Sequence, residues 1–263
     1  MRLLISGVLV ACCALFLISC GSSDTDTGNG SYTPVTMKFQ KDFLANYDLY
    51  LVDTADAQGN NADRDVPDST QRNLQELVLS TTGSFPAANG NAVTSMLFSS
   101  IPPDTNYYYQ DKDGFVWRYN YGFSILNKYT DLTTIIGGPI NVGWVLVAKP
   151  GAPVGTSWVG KKDSATIQTP IGPVKAYLMD QATVMEDKTY TISDTTIKTT
   201  HIRHTVTATV AGVAGNAGQI IIDTYISPEL GMTVEDFFRH SEIIYPKKIQ
   251  SRGSRKVMVN FKH

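Results

Sequence analysis

Cysteine is nearly absent: the 263-residue chain contains three, Cys12, Cys13 and Cys20, all near the N-terminus. Whatever folds after Cys20 does so without disulfides, a cysteine nucleophile or thiolate-ligated zinc. Charge is scarce as well, at 17% Asp, Glu, Lys and Arg with a formal net charge of −2. Nucleic acid is therefore not an expected partner. Phosphate-cradling loops and dinucleotide fingerprints are missing, and no cofactor is expected. Gly155-Thr156-Ser157-Trp158-Val159-Gly160 is no hydrolase elbow, because that turn needs glycine two residues after serine and Trp158-Val159 intervene. The one long hydrophobic run, Leu3 to Ile18, falls short of the roughly 20 apolar residues of a spanning helix.

What is present begins with that run. Arg2 gives it a short positive n-region, and small or apolar residues fill it up to Ser19, which is the layout of an export signal. Its closing segment, Leu17-Ile18-Ser19-Cys20, resembles the lipobox of bacterial lipoproteins. The resemblance implies cleavage before Cys20, acylation of its thiol and anchorage to a membrane. Residues 1–19 would be signal peptide and Cys20 the lipidated first residue. Gly21, where an acidic residue would signal retention, implies the outer membrane in a Gram-negative host, facing the periplasm or the cell surface. Two or more acyl chains hold stably where one holds marginally.

Residues 20–34 include GSSDTDTGNGSYTP, which has too little apolar surface to order itself and reads as a tether. At about 5–6 Å × √n it reaches some 20 Å on average. Residues 35–263 read as a single β-rich domain. Thr199 to Val210 alternates with period two, placing Ile202, His204 and Val206 on one face and His201, Arg203 and Thr205 on the other. The loop Ala211–Gly218 should return it to Gln219–Ile226 as a hairpin. A second hairpin is predicted at Asp111–Gly114, with Tyr109 near Trp117 and Tyr107 near Tyr119. One face would then carry Tyr107, Tyr109, Phe115, Trp117, Tyr119 and Tyr121.

Further strands are predicted at Val142–Ala148, Ser164–Thr169, Val174–Met179, Thr189–Ile192, Ile243–Tyr245 and Lys256–Phe261. Ser69 to Leu79, with Leu74, Leu77 and Val78 at helical spacing behind a Ser/Thr cap, suggests a short helix. The fold class is mainly β: a large curved antiparallel sheet or partly open barrel with at most one or two short helices.

Candidate chemistry is thin. His201 and His204 lie three apart on a strand, so they face opposite ways and cannot share a metal; His201 should be in solvent beside Arg203, and His204 inside with a hydrogen-bond partner. The acidic segment Asp53–Asp65 could offer oxygens to calcium, but its spacing does not fit the EF-hand loop and it reads as a solvated loop; Asp111 and Asp113 could do the same, but turn chemistry already explains Asp113-Gly114. Lys247, Lys248, Arg252, Arg255 and Lys256 form a basic stretch that could approach headgroups and reads better as a solvated hairpin around Gly253. Tyr107, Tyr109, Trp117 and Tyr119 are the candidate ligand-facing aromatics.

Pro153-Val-Gly-Thr-Ser-Trp158, Thr169-Pro-Ile-Gly-Pro-Val-Lys-Ala176 and Asp223-Thr-Tyr-Ile-Ser-Pro-Glu-Leu-Gly-Met232 together resemble uncharacterised β-rich envelope lipoproteins. In the last, Pro228 should end a strand and Gly231 supply the turn's unusual dihedral. By analogy the shape is similar to the curved half-barrels of periplasmic lipoprotein carriers. The expectation is a membrane-anchored, non-enzymatic protein binding an apolar or lipid ligand or an envelope partner protein. The alternatives are an envelope glycan-binding module and a hydrolase whose site the sequence does not reveal.

Overall fold

In β11 (Thr195–Val210) the alternation legible in the sequence becomes burial: Ile202, His204 and Val206 are inside, while Arg203, Thr205 and Thr207 remain partly exposed. A register slip of one residue would turn that face to water, and each buried Ile or Val contributes about 1.5–3 kcal/mol against it. The same logic builds the rest of a computed structural model that describes residues 32–55, 61–65, 71–80, 88, 90–99, 104–121, 143–169, 172–212, 218–239, 241–243, 249–251 and 253–262. Among the described residues all regular structure is strand.

The other strands are β1 (Leu44–Ala55), β2 (Asn61–Asp65), β3 (Gln71–Ser80), β4 (Thr94–Phe98), β5 (Asp104–Gln110), β6 (Val116–Tyr119), β7 (Trp144–Ala148), β8 (Ser157–Thr169), β9 (Gly172–Val184), β10 (Lys188–Ile192), β12 (Gly218–Ser227), β13 (Met232–Phe238), β14 (Ser241–Ile243), β15 (Ile249–Ser251) and β16 (Gly253–Lys262). One antiparallel sheet runs β7-β6-β5-β4-β3-β1-β16-β13-β12-β11-β9-β8, and β2, β10, β14 and β15 attach beside that path. Its two ends come together, so the sheet nearly closes into a barrel with one unsealed seam between β7 and β8.

Several expectations change. Ser69–Leu79 is not a helix: its described part is β3, with Leu74, Glu76 and Val78 buried and Gln75 and Leu79 exposed. The predicted hairpin around Gly253 does not form, because β15 pairs with β14 while β16 pairs with β1 and β13. Of the strand expected at Ile243–Tyr245 only Ile243 is described, as the last residue of β14; Ile244 and Tyr245 lie outside the described residues. In the acidic segment, Asp53 pairs opposite Arg64 in a β1–β2 ladder, and residues 56–60 lie outside the described set. The hairpin between β11 and β12 forms, with Ala208 opposite Gly218.

Residues 32–43 precede the first strand and cross one end of the barrel as a strap. Val35 N–H donates to the Pro150 carbonyl, Lys38 N–H to Pro228, and Met37 N–H to Gln110 Oε1 at 3.1, 2.9 and 2.8 Å. Met37 and Phe43 are buried beneath it. The strap passes over the turns of Gly114, Gly151 and Gly231, all with positive φ. At Gly231 (φ +67°) an added Cβ would lie 2.2 Å from the Lys38 carbonyl oxygen, so the turn and the close approach both require glycine. Pro228 and Gly231 thus act as expected, ending β12 and turning the chain into β13. Residues 32–34, expected as the last of the tether, instead pack: Tyr32 sits 5.7 Å from Phe115, and Pro34 covers Gly114.

Candidate functional site

The Asp111–Gly114 turn closes as its sequence requires. Asp111 Oδ1 accepts the backbone N–H groups of Asp113 and Phe115, and Gly114 takes φ +82°. Tyr109 then falls opposite Trp117. On the outer wall of β5–β6–β7, Tyr109 stacks on Trp117 at 5.9 Å and meets Trp144 edge-on at 4.6 Å, and Tyr119 meets Trp144 at 5.4 Å. Trp117 Nε1–H donates to Asp111 Oδ2 at 2.8 Å. Tyr109 is buried under Ala88 and Val93, whereas Tyr107, Trp117, Tyr119 and Trp144 are half-buried. Burial, then the Asp111 charge, pushes the Tyr109 phenol up to about 12.

Two members of the expected face are elsewhere. Asn120 adopts φ +53° just after β6, and Tyr121 points into the barrel, 5.0 Å from His204. Phe115 precedes β6 and packs at the rim with Tyr32, under the Lys149 ammonium at 4.7 Å. Trp144 takes their place, because Tyr119 pairs opposite it; the sequence marked its strand and not its role.

Inside the barrel lies a network that the sequence reading missed. Glu76 accepts from Asn106 Nδ2 at 2.9 Å and Lys256 Nζ at 3.2 Å. Lys256 and Arg118 each approach Asp236 at 3.7 Å. Arg118 Nη2 donates to Asn106 Oδ1 at 2.7 Å, and Thr224 Oγ1–H to Asp236 Oδ1 at 2.9 Å, with the Tyr121 hydroxyl bonded to Thr224. Arg118 also lies over the rings of Tyr108 and Tyr121, and Lys256 over those of Tyr47 and Phe98. Burial alone would raise Glu76, but the charges of Lys256 and Arg118 carry its carboxyl below the usual range. Two acids meet two bases, as buried charge demands. Lys256, expected in a solvated hairpin, is therefore a core residue. A charged residue in phase with inward apolar neighbours, as in Val116-x-Arg118 or Leu178-x-Asp180-x-Ala182, was the available signal.

At the seam, side chains take over from the missing ladder. The Trp158 indole N–H donates to the Leu146 carbonyl at 3.0 Å. His204 reaches the Val147 carbonyl through Nε2 at 3.0 Å and the Asp180 carboxylate through Nδ1 at 3.0 and 3.1 Å. Gly160 makes room, since a Cβ there would lie 2.3 Å from Asp180 Oδ2. Burial would lower the imidazole pKa, yet the Asp180 charge, its hydrogen bond and the Val147 carbonyl together raise it. His204 thus has its expected partner.

His201 does not lie in solvent. It bonds Asp223 at 2.8 Å, stacks on Tyr225 at 4.3 Å and is 13% exposed. Among the described residues no group of three or more His, Cys, Asp or Glu could hold a metal ion, and Ser157 bonds only Thr183 and the Gly155 carbonyl in the hydrogen bonds seen for its hydroxyl.

No family model and no curated protein matches this sequence. Two solved structures are similar in shape. One, named as a "putative lipoprotein" of Parabacteroides distasonis ATCC 8503, has a TM-score of 0.46 and 10% identity, covering 88% of this chain and 100% of that one. The other, named as a "putative exported protein with YmcC-like fold" of Bacteroides fragilis NCTC 9343, has a TM-score of 0.36 and 9% identity over the same shares. Likeness this loose carries no argument about activity.

Proposed function

We infer that this is a lipid-anchored envelope protein that binds a glycan on the outer aromatic wall of β5–β7, without catalysing a reaction. The observation that carries the reading is the cluster of Tyr109, Trp117, Tyr119 and Trp144, a run of rings on the outside of the barrel whose rim includes the Asp111 carboxylate. Half-exposed indoles beside a hydrogen-bonding acid suit a sugar, which offers C–H faces to stack and hydroxyls to bond. Anchorage rests on Cys20 and the lipobox. The strap supports it, since the chain arriving from Cys20 is received by a packed seat at one barrel end.

An apolar ligand inside the barrel is the weaker alternative. Its walls would include Glu76, Asp180, Asp236, Arg118 and Lys256, each already paired, and removing one partner from such a pair costs about 3–5 kcal/mol.

The test titrates the purified protein with soluble oligosaccharides, N-acetylglucosamine oligomers and hexose oligomers among them, following tryptophan emission. One class should shift the emission saturably, and Trp117→Ala should weaken its binding about tenfold, the equivalent of about 1.4 kcal/mol of lost stacking. Binding equal in the variant, or no response to any oligosaccharide, overturns the reading.

A further inference from the structure

β7 and β8 are the two ends of the sheet, and among the described residues no ladder joins them. Each carries a bulge where it faces the other. Val147 is the extra residue of β7, since Val116 pairs with Ala148 and Trp117 with Leu146. Gly160 is the extra residue of β8, since Val159 pairs with Gln181 and Lys161 with Asp180. Bulges re-aim the chain and end pairing. Here the Leu146 and Val147 carbonyls accept from side chains instead, Trp158 Nε1–H and His204 Nε2, each at 3.0 Å. Gly160 lets the strands come this close, because a Cβ there would lie 2.9 Å from the Leu146 oxygen.

One end of the seam is tied independently. The chain itself joins β7 to β8 through residues 149–156, and the strap's Val35 N–H donates to the Pro150 carbonyl at 3.1 Å. Gly155 N–H donates to the Val184 carbonyl at 2.8 Å, and Val184 N–H to the Thr156 carbonyl at 2.9 Å. Beyond that turn Trp158 and His204 bridge the strands. The indole does not titrate, whereas the imidazole does.

His204 faces two acceptors, the Asp180 carboxylate at Nδ1 and the Val147 carbonyl at Nε2. Two ring protons satisfy both. With one proton fewer, the remaining N–H stays on the side of the buried carboxylate, because a charge-assisted bond is roughly twice as strong as a neutral one. Nε2 then turns a lone pair toward the Val147 oxygen, so the bond that is lost is the one crossing the seam. The groups around the ring are Asp180 from β9, Tyr121 edge-on at 5.0 Å, and Asp236 from β13, which Arg118 and Lys256 approach at 3.7 Å. At the turn itself, Lys149 Nζ lies 5.6 Å from the Trp158 ring.

We propose that His204 is a pH-operated latch: protonated, it closes the barrel along β7 and β8, and on losing its proton it lets these two strands part while the rest of the sheet stays folded. Asp180 and Asp236 both raise the folded pKa. The latch is therefore fully closed below about 6.5 and opens as pH rises through the folded value. It operates whatever the outer wall binds.

Trp158 is a native reporter, buried at the seam and the sole tryptophan left in Trp117→Phe/Trp144→Phe. Acrylamide quenching of its emission should rise at least about threefold between about pH 5.5 and pH 9.5, while far-UV circular dichroism keeps the folded spectrum. His204→Gln, added to that background, does not titrate and should give one value at both pH values. Asp180→Asn should stay closed at both, because the amide N–H donates to Nδ1 and leaves the neutral ring's proton on Nε2 for Val147. A carboxylate that merely fills space predicts loosening at both. Quenching that does not change with pH, that rises equally in His204→Gln, or that is high at both pH values in folded Asp180→Asn overturns the proposal. So does a rise that comes only with loss of the folded spectrum, which would make the opening global. Should the reporter background fail to fold, 5-fluorotryptophan NMR of the unsubstituted chain reads the same indole: its resonance should show a solvent-isotope shift in alkali alone, and a shift equal at both pH values counts against the latch.

Discussion

His204 holds together two strands that share no ladder. Both its bonds, to the Asp180 carboxylate and to the Val147 carbonyl, need an N–H, so both are satisfied only by the imidazolium. The groups facing it are Asp180 from β9, Tyr121 after β6, Asp236 from β13 and the Val147 carbonyl. Its folded pKa is raised, so its contribution to stability is complete below about 6.5, the ordinary imidazole value, and is lost as pH rises through the folded value. Glu76 and Asp223 are lowered, so theirs is present above about 4.5 and lost as pH falls through the folded values. Thermal melts should therefore give a maximum at about pH 5–6, with a decline on both sides. His204→Gln should lower Tm at pH 5.5 and remove the alkaline decline. An alkaline limb of unchanged depth in the variant would show that some other group closes the seam.

At the scale of elements, the strap and the turns beneath it act as one unit. Gly231→Ala puts a Cβ into the Lys38 carbonyl at a positive φ, and is expected to cost at least about 2 kcal/mol, or roughly 4–8 °C in Tm. Trypsin should then cut at Lys38 and Lys41 before the barrel unfolds. Gly155→Ala, where φ is also positive and nothing lies within 4 Å, should show only the smaller backbone penalty and an intact strap. Equal cleavage in both would remove the strap from this account. Elements were legible where one face was apolar but for a single residue, as in Ile202-x-His204-x-Val206, whose one polar member could be assigned a partner. β3 was not, because its inward face reads Leu74-Glu76-Val78 and the buried acid hid the alternation, leaving Leu74, Leu77 and Val78 to imitate a helix. The aromatic hairpin was legible through Tyr109, Trp117 and Tyr119; Tyr121 escaped because the left-handed Asn120 reverses its direction. Glu76, Arg118, Asp236 and Lys256 come from four strands far apart in sequence, and only the order of the sheet brings them together.

At the scale of the molecule, a twelve-strand path this nearly closed could enclose a guest, and what decides is what faces inward. Tyr47, Met96, Ile222, Met232 and the paired charges around Glu76 and Asp236 occupy the interior. The outer wall offers an aromatic surface at β5–β7 instead. Recognition on the proposed reading therefore lies outside the barrel. Native mass spectrometry of the protein extracted from membranes in mild detergent tests that most directly. The expected mass is that of the chain from Cys20 onward plus its acyl groups and nothing more. A stoichiometric apolar molecule that stays bound through delipidation, and remains in Trp117→Ala, would place the ligand inside the barrel and contradict the account.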